Sequence, residues 1–225
     1  MKQKYSILSL GSNLLVLCTL ALCLGSCANA KVKKQTVTLY AYEVDMAAET
    51  YSAGRLKYME AEYYEGNRLI SKTYYNNNQS VKGVEKYQYT DNDSLPESSK
   101  YYDADGGVQA NYTFTNQNNH QVQRNGYEGD TQKLLRQERY QYDTAGRRIS
   151  KIIFDSENLK QRSFLFGHDE FGNETQMQVL DYKDEVIGGE EYEIKYIDDK
   201  NRWIEKWGYV GKEKYPKTFY RKSYK

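Results

Sequence analysis

The chain has 225 residues, with 32 Lys and Arg against 31 Asp and Glu, and a net charge of +1 with histidine neutral. So even a mixture of charges holds no basic stripe of the kind that nucleic acid requires, and nucleic acid is excluded as a partner. Tyrosine is abundant, at 24 residues, and aromatic enrichment favours strands.

The chain opens on Met1-Lys2-Gln3-Lys4, basic and without an acid, followed by an eleven-residue apolar run from Leu14 to Leu24. That run suits a signal-peptide core and is well short of the roughly 20 residues that cross a bilayer. Leu24-Gly25-Ser26-Cys27 then resembles the lipobox of bacterial lipoproteins. The resemblance implies a signal peptide over 1–26, cleavage before Cys27 and diacylation of its thiol, so that the partner at this end is a membrane. Cys18, Cys23 and Cys27 are all the cysteines there are, so an internal disulfide or a cysteine metal site is excluded from the remainder. Residues 27–35 read as anchor and tether, and 36–225 as one β-repeat domain.

Thr36 to Tyr42 is the first strand expected, and Asp45 to Ser52 is expected as a loop. From Arg55 onward a strand–turn unit repeats. Tyr58 to Tyr64 and Leu69 to Tyr75 flank a turn at 65–67, and Asn76 to Gln79 makes the next. Five later turns share Asp-x-x-Gly or Asp-x-x-Asn, beginning at Asp103, Asp143, Asp155, Asp169 and Asp198, with weaker turns near 117, 129 and 185. The aspartate accepts from a backbone N–H further on, and the glycine or asparagine supplies the left-handed position. A step of about 13–14 residues leaves short strands that must run antiparallel.

The expected fold is all-β, an antiparallel meander of roughly a dozen or more strands. Leucine, isoleucine and valine are too few for the aliphatic faces of a sandwich. The first expectation is therefore one long twisted sheet, rolled or spiralled and covered by tyrosine rings and the stems of lysine and arginine. A closed soluble barrel is the alternative. A transmembrane barrel is disfavoured because the strands carry no lipid-facing apolar band.

Tyr142-Asp143-Thr144-Ala145-Gly146-Arg147 resembles the YD repeat of rearrangement-hotspot and teneurin-type proteins, with degenerate copies at Phe171-Gly172-Asn173 and Tyr64-Glu65-Gly66-Asn67-Arg68. The pattern covers most of 55–202. It implies strands of a spiralling sheet, but the chain is too short for the cargo-enclosing shell of that family.

Few residues offer chemistry. His168 lies beside Asp169 and Glu170, and His120 stands alone; both fall in turns, so no metal site is expected. Glu190, Glu191 and Glu193 with Asp198 and Asp199 could supply paired carboxylates for glycoside hydrolysis, but adjacent acids on a strand face opposite ways. No nucleophile elbow, phosphate loop or zinc-protease helix motif occurs. No enzyme and no cofactor is expected.

Aromatics are the stronger lead. Trp203, Trp207 and Tyr209 share one strand face by the period-two rule, either as a platform for a sugar or protein ligand or as core of the last hairpins. The last strand would leave a free edge whose pairing Pro216 limits. The functional expectation is a lipid-anchored protein of the bacterial cell envelope, at the outer membrane, with a non-catalytic binding domain whose ligand is unknown and in one version a glycan. A protein-docking scaffold is the alternative, and a glycoside-active enzyme the third reading.

Overall fold

The computed structural model describes residues 34–47, 50–90, 93–213 and 215–225, with the side chains of 46–51 outside the description. The signal-like run, Cys27 and most of the tether lie outside the described residues. The strands are β1 (Lys34–Ala47), β2 (Thr50–Glu65), β3 (Arg68–Tyr75), β4 (Val81–Gln88), β5 (Ser98–Asp103), β6 (Val108–Gln117) and β7 (His120–Glu128). They continue as β8 (Leu134–Tyr142), β9 (Arg148–Asp155), β10 (Lys160–His168), β11 (Glu174–Leu180), β12 (Val186–Ile197), β13 (Trp203–Tyr209) and β14 (Thr218–Tyr224). Each pairs antiparallel with its neighbours in sequence, and β1 also pairs with β14, so the sheet closes into a fourteen-stranded barrel.

Closure corrects the expectation of an open or spiralled sheet and selects the alternative. Val37 to Glu43 pairs with Thr218 to Tyr224 along the whole seam, and Thr36 and Lys225 exchange backbone hydrogen bonds at 2.8 Å each way. No edge remains on β14. Pro216 does not limit its pairing, because it sits fully buried in the turn before the strand begins. Joining the ends satisfies backbone donors and acceptors that an open edge would present.

The loop expected at 45–52 is largely strand: β1 runs on through Ala47 and β2 starts at Thr50, with Asp45 opposite Ser52 and Met46 opposite Tyr51. Strands of 14 and 16 residues extend their ladder beyond the apolar alternation, since each added rung pairs backbone groups whatever the side chains. Lys34 and Gln35, expected in the tether, are likewise strand, opposite Glu65 and Tyr64.

The turns are built as the sequence implies. Asp103, Asp143, Asp155, Asp169, Asp181 and Asp198 each accept from the N–H two and four residues on, through one carboxylate oxygen at 2.8–3.0 Å. The residue three after each aspartate is left-handed: Gly106, Gly146, Asn158, Gly172, Asp184 and Asn201, with φ between 58° and 88°. The Asp181 turn is only a weak signal in sequence because an aspartate fills the place of Gly or Asn.

At one end of the barrel these turns also hold each other. Arg147 donates to Asp143 through Nε and to the Asp169 carbonyl through Nη1, at 2.6 and 3.0 Å. Asn173 donates to Asp169 and to the Asn201 carbonyl, at 2.9 and 3.0 Å, and its own oxygen accepts from the Trp203 N–H. Three consecutive hairpins are thus laced into a rim.

The two faces of the wall differ in content. Outward-facing Gln123 and Asn125 on β7 and Gln137 and Arg139 on β8 form a hydrogen-bonded row with links of 2.7–3.0 Å. Arg221 and Glu205 pair outside at 2.7 Å. An arginine at a bilayer midplane costs about 2–4 kcal/mol, so these stretches suit water, while Leu135 and Leu165 are exposed on the same face. Apart from Pro216, the apolar side chains buried among the described residues are Ala41, Ala110, Trp203 and Phe219, and Glu85, Glu138 and Lys206 are buried as well. Tyrosine rings and paired charges therefore do the work of an aliphatic core.

Candidate functional site: the barrel interior

Bulges decide which residues face inward. Beside the rim turns, Tyr142 pairs Arg148, His168 pairs Glu174 and Ile197 pairs Trp203, each next to a register shift. An extra residue in one strand reverses its facing, so residues three apart can share a face. Arg148 and Lys151 both point inward for this reason, as do Trp203 and Lys206. The residue five after each rim aspartate (Arg148, Glu174, Trp203) lines the interior.

These side chains enclose a cavity of about 780 Å³ whose mouth is the laced rim, with His168, Asn173 and Arg202 on it. One wall is Arg148, Lys151, Phe164 and Phe166. The Lys151 Nζ lies 4.3 Å from the Phe164 ring centre, and the Arg148 guanidinium 4.7 Å from that of Phe166. Another wall is Trp203, Lys206, Tyr220 and Lys222. Lys206 Nζ sits 3.4 Å from the Tyr192 ring centre and within 5.3 Å of those of Trp203 and Tyr220, and Lys222 Nζ lies 4.1 Å from Trp203. Such cation–ring contacts offset part of the cost of burying an ammonium.

Burial pushes the Lys206 ammonium down to about 8, against the raising field of Glu174, which is 3.8 Å away. Lys151 and Lys222 are lowered by burial as well. The acids of the β2 wall are already engaged, since Lys72 holds Glu60 at 2.8 Å and Glu62 at 3.3 Å. Burial and the nearby Glu190 carboxylate raise the phenols of Tyr192 and Tyr220.

Deeper on the other side lies a polar cluster. Glu85, 1% exposed, accepts from Ser99 Oγ at 2.5 Å, Tyr74 OH at 3.0 Å and Arg124 Nη2 at 2.9 Å. Arg124 stacks over Tyr112 at 3.8 Å. The strong partners of Glu85 are all internal, so the cluster braces the wall, and it borders a smaller cavity of about 360 Å³.

The candidate residues of the sequence are not brought together. Trp203 faces the cavity and is 8% exposed, whereas Trp207 faces outward against Phe219 at 4.6 Å, and the outward Tyr209 donates to Glu193 at 2.8 Å. The bulge around Ile204 breaks the period-two count, so Trp203, Trp207 and Tyr209 do not form one platform. Glu190 points inward and accepts from Thr218 and Tyr220 at 2.8 and 2.6 Å, while Glu193 points outward. Asp169 and Asp198 are spent on their turns. Among the described residues no group of His, Cys, Asp and Glu is arranged to hold a metal ion. Arg148, Lys151 and Lys222 carry no motif; the signal that could find the first two is their distance from Asp143, read together with the bulge at Tyr142, and no such signal marks Lys222.

Fold and cavity together define a fourteen-stranded antiparallel barrel with a polar, ring-lined interior. No protein-family model matches the chain, and no curated protein matches it in sequence. Several solved structures are distantly similar, two of which illustrate the likeness. A porin-like protein from Bacteroides uniformis is 11% identical with a TM-score of 0.41, over 84% of this chain and 96% of that one. The Tc holotoxin pore of Photorhabdus luminescens is 9% identical with a TM-score of 0.34, over 73% of this chain and 12% of that one. Likeness at this level fixes neither activity nor ligand.

Proposed function

We propose that this chain is a lipid-anchored protein of the bacterial cell envelope, tethered at the outer membrane through Cys27, whose barrel is a non-catalytic module that binds a small solute in its interior. The observation that carries the binding role is the cavity of about 780 Å³ inside the closed barrel. Small-molecule sites fall in the range of about 300–1,000 Å³ and hold a few convergent polar groups. The anchoring role rests on Leu24-Gly25-Ser26-Cys27 following its apolar run. A catalytic role has less support, because Glu190, Asp169 and Asp198 are consumed by internal hydrogen bonds.

The ligand reading moves from the tryptophan platform to the interior. Lys206 and Lys222 cover the Trp203 ring, so that ring is not open to a stacked neutral sugar. Anchoring is tested by expressing the chain and its Cys27→Ser variant in a bacterium fed labelled palmitate. Label and membrane-pelleted protein in the parent, both lost in the variant, are expected; an unlabelled parent would overturn the anchor.

A further inference from the structure

We propose that the barrel interior binds a small solute bearing clustered oxyanions, phosphate or carboxylate groups on a polar scaffold, held between Arg148 and Lys151 on one wall and Lys206 and Lys222 on the other. This deepens the reading of the barrel as a binding module and rests on it.

The charge pairing in the rest of the barrel is the first support. Lys72, Arg124, Arg136 and Arg202 each have a carboxylate within 3.3 Å. Among the described residues Arg148, Lys151 and Lys222 have no ion-pair or hydrogen-bond partner, and their contacts are ring faces. Lys151 and Lys222 are half-buried and Arg148 is exposed. A cation partly withdrawn from water without an anion in contact carries a cost, so three of them around one cavity leave an electrostatic demand that a bound anion meets. The lowering of Lys151 and Lys222 by burial has the same sense.

Position is the second support. The cations and the rings they contact line the same cavity, so a ligand meets N–H donors and aromatic faces together. Arg148 offers a planar fork suited to a bidentate oxyanion, and the lysines act as point charges. The anion must carry more than one charged group, because the cations stand on β9 and on β13 and β14, walls separated by three intervening strands. Glu60, Glu62 and Glu174 share the cavity and their fields act on Lys222, but none is in ion-pair contact with it: Lys72 holds Glu60 and Glu62, and Glu174 lies beside Lys206. Aliphatic lining is thin, limited to Val37, Leu39 and Met177, and the remaining apolar surface is aromatic and shared with the cations, which disfavours an acyl tail and favours a polar scaffold.

The test is titration calorimetry of the full chain in a non-ionic detergent with four probes: tripolyphosphate, citrate, neutral maltotriose and cationic spermine. Saturable binding of tripolyphosphate or citrate is expected, and whichever of the two binds tells phosphate from carboxylate chemistry. Affinity should fall at least tenfold in Lys151→Met and in Lys222→Met, fall with added salt, and stay unchanged in Lys100→Met on the outer wall. Both methionine variants should melt no lower than the parent, since each removes a half-buried charge. As a measurement on the unaltered chain, bound anion should shield Lys222 and Lys206 from acetylation, read by mass spectrometry. Neither oxyanion binding, or binding indifferent to Lys151 and Lys222 with no shielding, overturns the inference. Maltotriose or spermine entering the cavity instead overturns the anion class while leaving the binding role intact.

Discussion

Glu85 on β4 and Arg124 on β7 meet at 2.9 Å inside the barrel although 39 positions separate them. The contact draws together strands that are not neighbours in the sheet. It braces the interior on that side of the barrel, where Glu85 and Arg124 also line a smaller cavity of about 360 Å³.

Removing one member of this pair strands the other. Glu85→Ala should destabilise the barrel by about 3–5 kcal/mol, because Arg124 would keep a buried, uncompensated charge. Adding Arg124→Met should recover part of the loss, with a coupling on the order of 1–3 kcal/mol in urea titrations. Strict additivity of the two losses would refute a direct interaction.

Left-handed turn positions make a paired prediction. Gly146 has φ +79°, and a Cβ there would lie 2.9 Å from His120 Cε1, so Gly146→Ala should cost about 1–2 kcal/mol. Asn201→Gly, at φ +58°, should be neutral or stabilising, since glycine visits this region freely. Equal and opposite results in thermal melts would mean the two turns are not built alike.

Much of this was legible in the sequence, and the physics says why. Asp-x-x-Gly names its own turn, because the aspartate, the left-handed residue and the spacing are local requirements; five of the six turns follow from that rule. The meander follows from the short turns. Closure does not, because nothing local in Val37 to Glu43 specifies Thr218 to Tyr224 as its partner. Scarce aliphatics argued for an open sheet only if a core must be aliphatic, and Glu85, Arg124 and the tyrosines show another way to fill one. The Trp203–Trp207 platform failed at a single inserted residue, the kind of local slip that period-two counting cannot register.

Alkaline behaviour should follow the interior groups. Folded Lys206, at about 8, releases its proton before the unfolded chain does, so stability should rise modestly from about pH 8 toward 10. Burial raises Tyr58 to about 12 and lifts Tyr74, Tyr87, Tyr140 and Tyr220 further. Unfolded tyrosine ionises near pH 10, so above that the unfolded state holds fewer protons and stability falls. Tyrosinate absorbance should therefore climb in two stages, the second together with loss of circular dichroism; one smooth rise would contradict the burial.

Acid should loosen the turns. Backbone N–H groups and Arg147 hold Asp143 below the usual carboxylate range, the Arg202 side chain does the same for Asp198, and Gly107 for Asp103. These groups bind fewer protons folded than unfolded, so their contribution is present above about pH 4 and is lost as pH falls through their lowered values. The urea midpoint should drop below pH 4, and less steeply in Asp143→Asn. An unchanged pH profile in that variant would mean the charge does not act through the turn.

Amide hydrogen exchange tests the closed barrel most directly. If β1 and β14 seal the sheet, the amides of Val37 to Glu43 and Thr218 to Tyr224 exchange as slowly as those of β7 and β8. Rapid exchange of alternate amides along β1 and β14, with the other strands protected, would show two free edges and an open sheet, and the enclosed cavity would go with them.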